Sequence, residues 1–140
     1  MKRKTLKFSP EYNFILFGLS ATVSDIRLVY ILKTMTELDF HRCENLCVFH
    51  EKLPIEQTFS LFECDENDEN LSISLISNKS QEGFLIEELK NIDYFIIIKG
   101  ADSIVFAEKF LKVLKESSSI YGVFQIDPNN LPSKQKLLFQ

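Results

Sequence analysis

The chain has 140 residues, of which 45% are hydrophobic and 26% are charged. This composition is typical of a globular protein and excludes a disordered chain, a collagen-like chain and a disulfide scaffold. The length favours a single domain that spans residues 1–140. Phenylalanine is abundant, with 13 copies, whereas glycine and proline occur only 4 times each.

The charge is unevenly distributed along the chain. Four basic residues lie among the first seven, so residues 1–10 are predicted to form a basic, flexible N-terminal tail. The remaining residues carry 12 basic and 20 acidic side chains, a net charge of -8. An acidic body repels phosphate backbones, so no nucleic-acid partner is expected.

Cysteine usage and apolar runs indicate the compartment. The chain has three cysteines, an odd number, at Cys43, Cys47 and Cys64, which favours free thiols in a reducing environment. No apolar run is long enough for a signal peptide or a membrane span. We therefore expect a cytoplasmic protein that does not contact a membrane.

The first half of the chain predicts a strand, a helix and a hairpin. Residues 13–19 are apolar and rich in aromatic side chains, which is typical of a strand. Residues 24–38 are predicted to form a helix, because apolar side chains recur there at helical spacing. Residues 39–57 are ambiguous between a short strand and a loop. Residues 58–64 and 71–76 alternate around an acidic turn, which predicts a hairpin.

The second half predicts a strand, a helix and a strand. Residues 92–98 are apolar on both faces and should lie at the centre of the sheet. A helix is expected from Asp102 or Ser103 to about residue 116, followed by a strand over 120–126. Minor features are a turn over 77–83, a short strand over 84–86 and a C-terminal arm over 127–140.

The order of elements predicts the fold class. It indicates an α+β domain with a mixed sheet of about five strands and two helices packed on one face. Residues 92–126 should form a right-handed strand–helix–strand crossover. The other face of the sheet would be rich in aromatic side chains. Such a face would promote association with other molecules if exposed, so we expect another chain or the C-terminal arm to cover it.

Three local patterns suggest ligand sites, and each has a simpler explanation. The cluster formed by His41, Cys43, Cys47 and His50 has the ligand types of a zinc site. Four ligands within ten residues would strain a single element, however, so no metal is predicted. The acidic residues 65–70 lack the glycine and the glutamate of an EF-hand loop. The glycine of residues 98–102 stands alone and predicts a tight turn rather than a phosphate-binding loop.

The segment from residue 86 to residue 94 reads IEELKNIDY. It resembles the signature of the IPExxxVDY family of small bacterial proteins. The match holds at Ile86, Glu88, Asp93 and Tyr94, whereas Glu87 replaces the proline and Ile92 replaces the valine. Residues 59–63 and 75–79 are also similar to family sequence. The family has no established activity, so the resemblance implies no catalytic role.

The motif has a structural and a functional interpretation. In the structural one, Asp93 caps a backbone turn or pairs with a base such as Lys90, because an unpaired buried carboxylate is costly. Tyr94 packs its ring while its hydroxyl finds one partner. In the functional one, Glu88 and Asp93 form an acid–base pair, and Tyr94 donates a hydrogen bond to a ligand.

These observations predict a small, non-enzymatic interaction or regulatory module that self-associates or binds a protein partner. No cofactor is expected. The alternative is a small-molecule-binding domain or an enzyme with a polar site around Glu88, Asp93 and Tyr94. In that case Ile86 and these three residues would be the binding residues.

Overall fold

The structure is a computed structural model that describes residues 14–49, 52–66 and 70–137. It contains two α-helices, Asp25–Thr36 (α1) and Ser103–Glu116 (α2). The strands in these ranges are Ile15–Ser20 (β1), His41–Arg42 (β2), Leu46–Phe49 (β3), Glu56–Phe59 (β4), Leu61–Glu66 (β5), Leu71–Ser77 (β6), Lys79–Ser80 (β7), Gly83–Phe84 (β8), Tyr94–Lys99 (β9) and Gly122–Ile126 (β10). Short 3-10 helices span Glu87–Leu89, Pro128–Asn130 and Lys134–Leu137. The predicted α+β class is confirmed.

Among the described residues, the main sheet has six strands in the order β10-β1-β9-β6-β5-β2. Every adjacent pair is antiparallel, so the expectation of a mixed sheet is wrong, whereas the expected size of about five strands is close. Strand β9 lies between β1 and β6, which confirms its central position. The sequence did not reveal that β1 pairs with both β9 and β10, because pairing between distant segments leaves no local signal.

Strands β9 and β10 are connected through α2 and run parallel to each other. Both pair antiparallel with β1, which lies between them. The predicted strand–helix–strand unit is therefore present, with β1 inserted between its two strands. This insertion makes every neighbouring pair antiparallel and leaves β10 at one edge of the sheet.

The ambiguous segment over 39–57 contributes β2 to the edge of the main sheet and β3 to a separate two-stranded sheet. Strand β3 pairs with β4, whereas β5 pairs with β6 in the main sheet. The strand predicted over 58–64 is thus divided at Ser60 into two strands with different partners. The predicted hairpin around the acidic turn is confirmed by the β5–β6 pairing, and its tip, residues 67–69, lies outside the described residues.

Both α-helices pack on one face of the main sheet, here called the helix face, as predicted. The helix side chains Leu28, Leu32, Ala107, Phe110 and Leu114 share one core with side chains of β1, β5, β6 and β9. Ser24 starts α1 as expected, because its side chain accepts a hydrogen bond from the N–H of Arg27 at 3.2 Å.

The opposite face, here called the arm face, has its own buried core. Strand side chains that include Leu16, Phe95 and Ile97 pack there against Leu85, Ile86 and Ile92. The C-terminal arm contributes Leu131 and Leu137, both buried in the same core. Of the two covers expected for this face, the structure shows the arm. The N-terminal tail and residues 138–140 lie outside the described residues.

The turn between β9 and α2 requires glycine. Gly100 has a φ of 117°, which side chains rarely tolerate. A Cβ there would also collide with the carbonyl oxygen of Asn70. The glycine therefore allows a close backbone approach, in agreement with the tight turn predicted for this segment.

Candidate functional site

The motif segment is organised around Asn78, which is fully buried. Its side-chain nitrogen donates to the carbonyl oxygens of Leu89 and Ile92, both at 2.9 Å. Its side-chain oxygen accepts from the N–H of Ile86 at 2.8 Å, and its carbonyl oxygen accepts from the N–H of Leu85. One side chain thus provides partners for three backbone groups, of which the carbonyl of Ile92 and the N–H of Ile86 are bonded in a buried position.

Asp93 connects three parts of the chain. Its carboxylate accepts a hydrogen bond from the N–H of Ala21 at 2.8 Å, just after β1. It also forms an ion pair with Lys79. The side chain of Asp93 is 16% exposed and that of Lys79 is 54% exposed. The expectation of a backbone cap is confirmed, but Lys79 replaces the expected Lys90, which pairs with Glu87 at 4.0 Å.

Tyr94 packs its ring in the core on the helix face. Its hydroxyl donates to the carbonyl oxygen of Val23 at 2.6 Å, so the predicted single partner is present. Burial, together with the charges of Asp25 and Asp93, raises the pKa of Tyr94 to about 12. The phenol therefore keeps its proton at neutral pH and anchors the segment before α1.

Ile86 and Glu88 face other parts of the structure. Ile86 is fully buried in the core on the arm face. The Glu88 carboxylate accepts from the N–H of Ser133 at 2.9 Å and from its hydroxyl at 3.1 Å. Glu88 therefore fastens the C-terminal arm, through two hydrogen bonds to a single residue.

Two of the four motif residues border a common cavity. It has a volume of about 290 Å³ and is lined by Ala21, Thr22, Val23, Ser77, Lys79, Asp93 and Tyr94. Glu88 does not line it. The Asp93 carboxylate is already bound by Ala21 and Lys79, and the Tyr94 hydroxyl is bound by Val23. The arrangement joins β1, β7 and β9 and does not bring Glu88 and Asp93 together as an acid–base pair.

Two of the four suggested zinc ligands lie on separate short strands. His41 is in β2 and Cys47 is in β3, both exposed, with Cys43 between these strands. His50 lies outside the described residues. Burial and the neighbouring Glu63 raise the pKa of the Cys43 thiol, which disfavours the thiolate that metals bind. Across the described ranges, no three His, Cys, Asp or Glu side chains are placed to hold a metal ion.

The acidic turn is only partly described. Asp65 and Glu66 end β5, and Glu66 lies opposite Leu71 in the hairpin. Asp68 and Glu69 lie outside the described residues. The described acidic residues of this segment, Asp65 and Glu66, therefore lie at the end of a strand.

A different feature, the outer edge of β10, was not singled out in the sequence. No strand within the described residues pairs with that edge. Tyr121 is 70% exposed and Phe124 is 47% exposed. The strand Gly122–Ile126 contains no charged residue and no proline, which are the usual protections against pairing with another chain.

The hydrogen-bond pattern shows which backbone groups this edge presents. Successive residues of a strand direct their N–H and C=O groups to opposite sides. The carbonyl of Ser20 accepts from the N–H of Tyr121 at 2.7 Å, so the even-numbered residues of β1 face β10. Their partners are Gly122, Phe124 and Ile126. It follows that the N–H and C=O groups of Val123 and Gln125 point away from the sheet.

Comparison with known proteins adds no relative: no protein-family model and no curated protein matches this chain. The resemblance to the IPExxxVDY family therefore stays a prediction. Within the described part of the chain, neither α-helix is long and apolar enough to cross a membrane.

Proposed function

We propose that the protein is a non-enzymatic interaction module that self-associates through the outer edge of β10. The observation that carries this proposal is an uncharged edge strand that no described strand pairs with, with two exposed aromatic side chains beside or within it. The abundant phenylalanines first suggested a sticky sheet face. Because the arm and the motif segment cover that face, the edge is the better-supported contact surface.

Charge permits a second copy as the partner at this edge. The chain carries a net charge of -4, so two copies repel each other wherever acidic surfaces meet. The edge formed by Gly122–Ile126 has no charge of its own. Pairing two such edges brings no like charges into the strand–strand contact, and the outward backbone groups of Val123 and Gln125 gain partners.

The alternative, a polar binding or catalytic site around Glu88, Asp93 and Tyr94, has less support. Glu88 binds Ser133 on the C-terminal arm, whereas Asp93 and Tyr94 hold the chain near Ala21 and Val23. Each polar group is satisfied by a neighbour within the fold. The best-supported role of the motif is therefore to fasten the segments that carry the interaction surface.

The test uses two substitutions at one position. Gln125→Pro removes an N–H that points away from β1, so pairing within the monomer is retained while pairing with another edge is blocked. Gln125→Ala removes the same exposed side chain but keeps the N–H. Molar mass is measured by light scattering during size-exclusion chromatography, and circular dichroism checks the fold.

We expect the wild-type protein and Gln125→Ala to have twice the monomer mass at micromolar to millimolar concentrations, and Gln125→Pro to be monomeric with an unchanged spectrum. Monomeric wild-type protein at every concentration would overturn the proposal. So would a folded Gln125→Pro variant that remains dimeric, because the contact would then lie elsewhere.

A further inference from the structure

We infer that the partner strand is β10 of a second copy, running antiparallel, with the two-fold axis passing beside Phe124. This inference rests on the proposed self-association and specifies its geometry. In this register Val123 of each copy lies opposite Gln125 of the other. The two six-stranded sheets then form one continuous twelve-stranded sheet.

The hydrogen-bond pattern limits the possible registers. Only Val123 and Gln125 direct their backbone groups outward within the strand, as shown by the pairing of β10 with β1. An antiparallel symmetric pair must place these residues opposite each other, or place one of them opposite its own copy. The axis therefore passes beside residue 123, 124 or 125.

The central register makes the most pairs that exchange both backbone hydrogen bonds. With the axis beside Phe124, both Val123–Gln125 pairs exchange N–H and C=O groups, which gives four bonds. With the axis beside Val123, the other outward position would face Tyr121, whose N–H already donates to Ser20. With the axis beside Gln125, Val123 would face Asp127, whose carbonyl already accepts from Asn130. In each shifted register the flanking pairs therefore cannot exchange both bonds, and only the pair of a residue with its own copy does.

The side chains favour the same register. Phe124 and Ile126 lie on the arm face, since their partner positions in β1 are Gly18 and Leu16. The ring of Phe124 lies across Gly122, because a Cβ there would be only 2.9 Å from the ring. In the central register Phe124 meets Phe124 of the second copy, and Ile126 of that copy lies opposite Gly122. The exposed apolar groups of the edge then cover each other.

The register can be read by disulfide cross-linking. Single cysteines are introduced as Val123→Cys, Phe124→Cys or Gln125→Cys in a background that carries Cys43→Ser and Cys47→Ser. Cys64 is kept because it is buried, and burial together with a hydrogen bond to Glu66 raises its pKa to about 11. Its thiol therefore reacts slowly. Mild oxidant is added, and linked dimer is followed on a non-reducing gel.

Residues opposite each other without mutual hydrogen bonds have Cα atoms only about 4.5 Å apart. We expect Phe124→Cys to form linked dimer at least about 10-fold faster than the other two variants, in line with this closer approach. When differently tagged Val123→Cys and Gln125→Cys chains are mixed, the linked product should be mainly the heterodimer. This mixing experiment keeps Phe124 in both chains, so its result does not depend on removing the phenylalanine.

The outcomes separate the register from the self-association itself. Fastest linking at position 123 or 125, or homodimers from the mixture, would overturn the register while a doubled mass of the reduced proteins upholds the proposed function. Monomeric mass for the wild type and all reduced variants would overturn both.

Discussion

Replacing Asn78 with alanine gives a severe test of the structural interpretation of the motif. The side chain is fully buried and makes three hydrogen bonds to backbone groups. Without it, the N–H of Ile86 and the carbonyl of Ile92 lose that partner, while the carbonyl of Leu89 still accepts from the N–H of Ile92. A buried group without a partner costs about 1–3 kcal/mol, so the expected loss is about 3 kcal/mol for the two groups.

The assay is urea unfolding followed by circular dichroism, with thermal melting alongside. For a chain of this size, a loss of about 3 kcal/mol corresponds to a fall in Tm of about 10 °C. Asn91→Ala is the matched control, because Asn91 is an exposed asparagine in the same segment. Its expected effect is within about 0.5 kcal/mol. A loss below about 1 kcal/mol for Asn78→Ala would refute the reasoning.

Asn78→Asp adds a test by pH. The introduced carboxyl keeps the shape of the amide but would face the carbonyl oxygens of Leu89 and Ile92. Burial and these oxygens raise its pKa in the folded state above the ordinary value of about 3.9. Relative to the wild type, the variant should therefore be most stable below about pH 4 and should lose stability as pH rises through the folded pKa. A difference in stability from the wild type that does not depend on pH would contradict this expectation.

The remaining predictions concern the motif residues themselves. Asp93→Ala should lower the free energy of unfolding by about 2 kcal/mol, because the buried N–H of Ala21 loses its acceptor. Tyr94→Phe should cost about 1 kcal/mol at neutral pH. Burial raises the pKa of Tyr94 to about 12, so stability in the wild type should fall as pH rises from about 10 to about 12, and the phenylalanine variant should lack this fall. Glu88→Ala should cost about 1 kcal/mol and speed proteolysis of the arm near Ser133, because two hydrogen bonds are lost.

Each of these variants has a control. Lys79→Gln removes only the ion pair of Asp93 with the half-exposed Lys79 and should cost less than about 1 kcal/mol. Tyr30→Phe changes an exposed tyrosine and should leave the alkaline fall in stability intact. Glu87→Ala changes the exposed neighbour of Glu88 and should not affect proteolysis of the arm. An effect of a control equal to that of its paired variant would contradict the role given to the motif residue.

Local patterns predicted the individual elements well. The periodicity of residues 24–38 predicted α1, and the doubly apolar run over 92–98 predicted the central strand. The pairing order of the strands was less accessible, because β1 pairs with β9 and β10 across long stretches of chain. The mixed sheet was expected because a strand–helix–strand unit normally places its strands side by side, and here β1 separates them.

For the side chains, the sequence likewise predicted the kind of contact but not the distant residue that makes it. The cap formed by Asp93 and the single partner of Tyr94 were foreseeable, because buried polar groups need partners. The identity of those partners was not, since Lys79 and Val23 approach only in the folded chain. Asn78 lies in a segment that predicted a simple turn, and nothing in the sequence marks it as buried. The edge of β10 likewise depends on the strand order.

Amide hydrogen exchange in the wild-type protein tests self-association through β10 most directly. Val123 and Gln125 point their N–H groups outward, whereas Gly122, Phe124 and Ile126 bond to β1. Exchange is measured by nuclear magnetic resonance at low and high protein concentration. We predict that the amides of Val123 and Gln125 become protected as concentration rises, while the other three are protected throughout. Fast exchange of both amides in a sample that is fully dimeric by mass would contradict this.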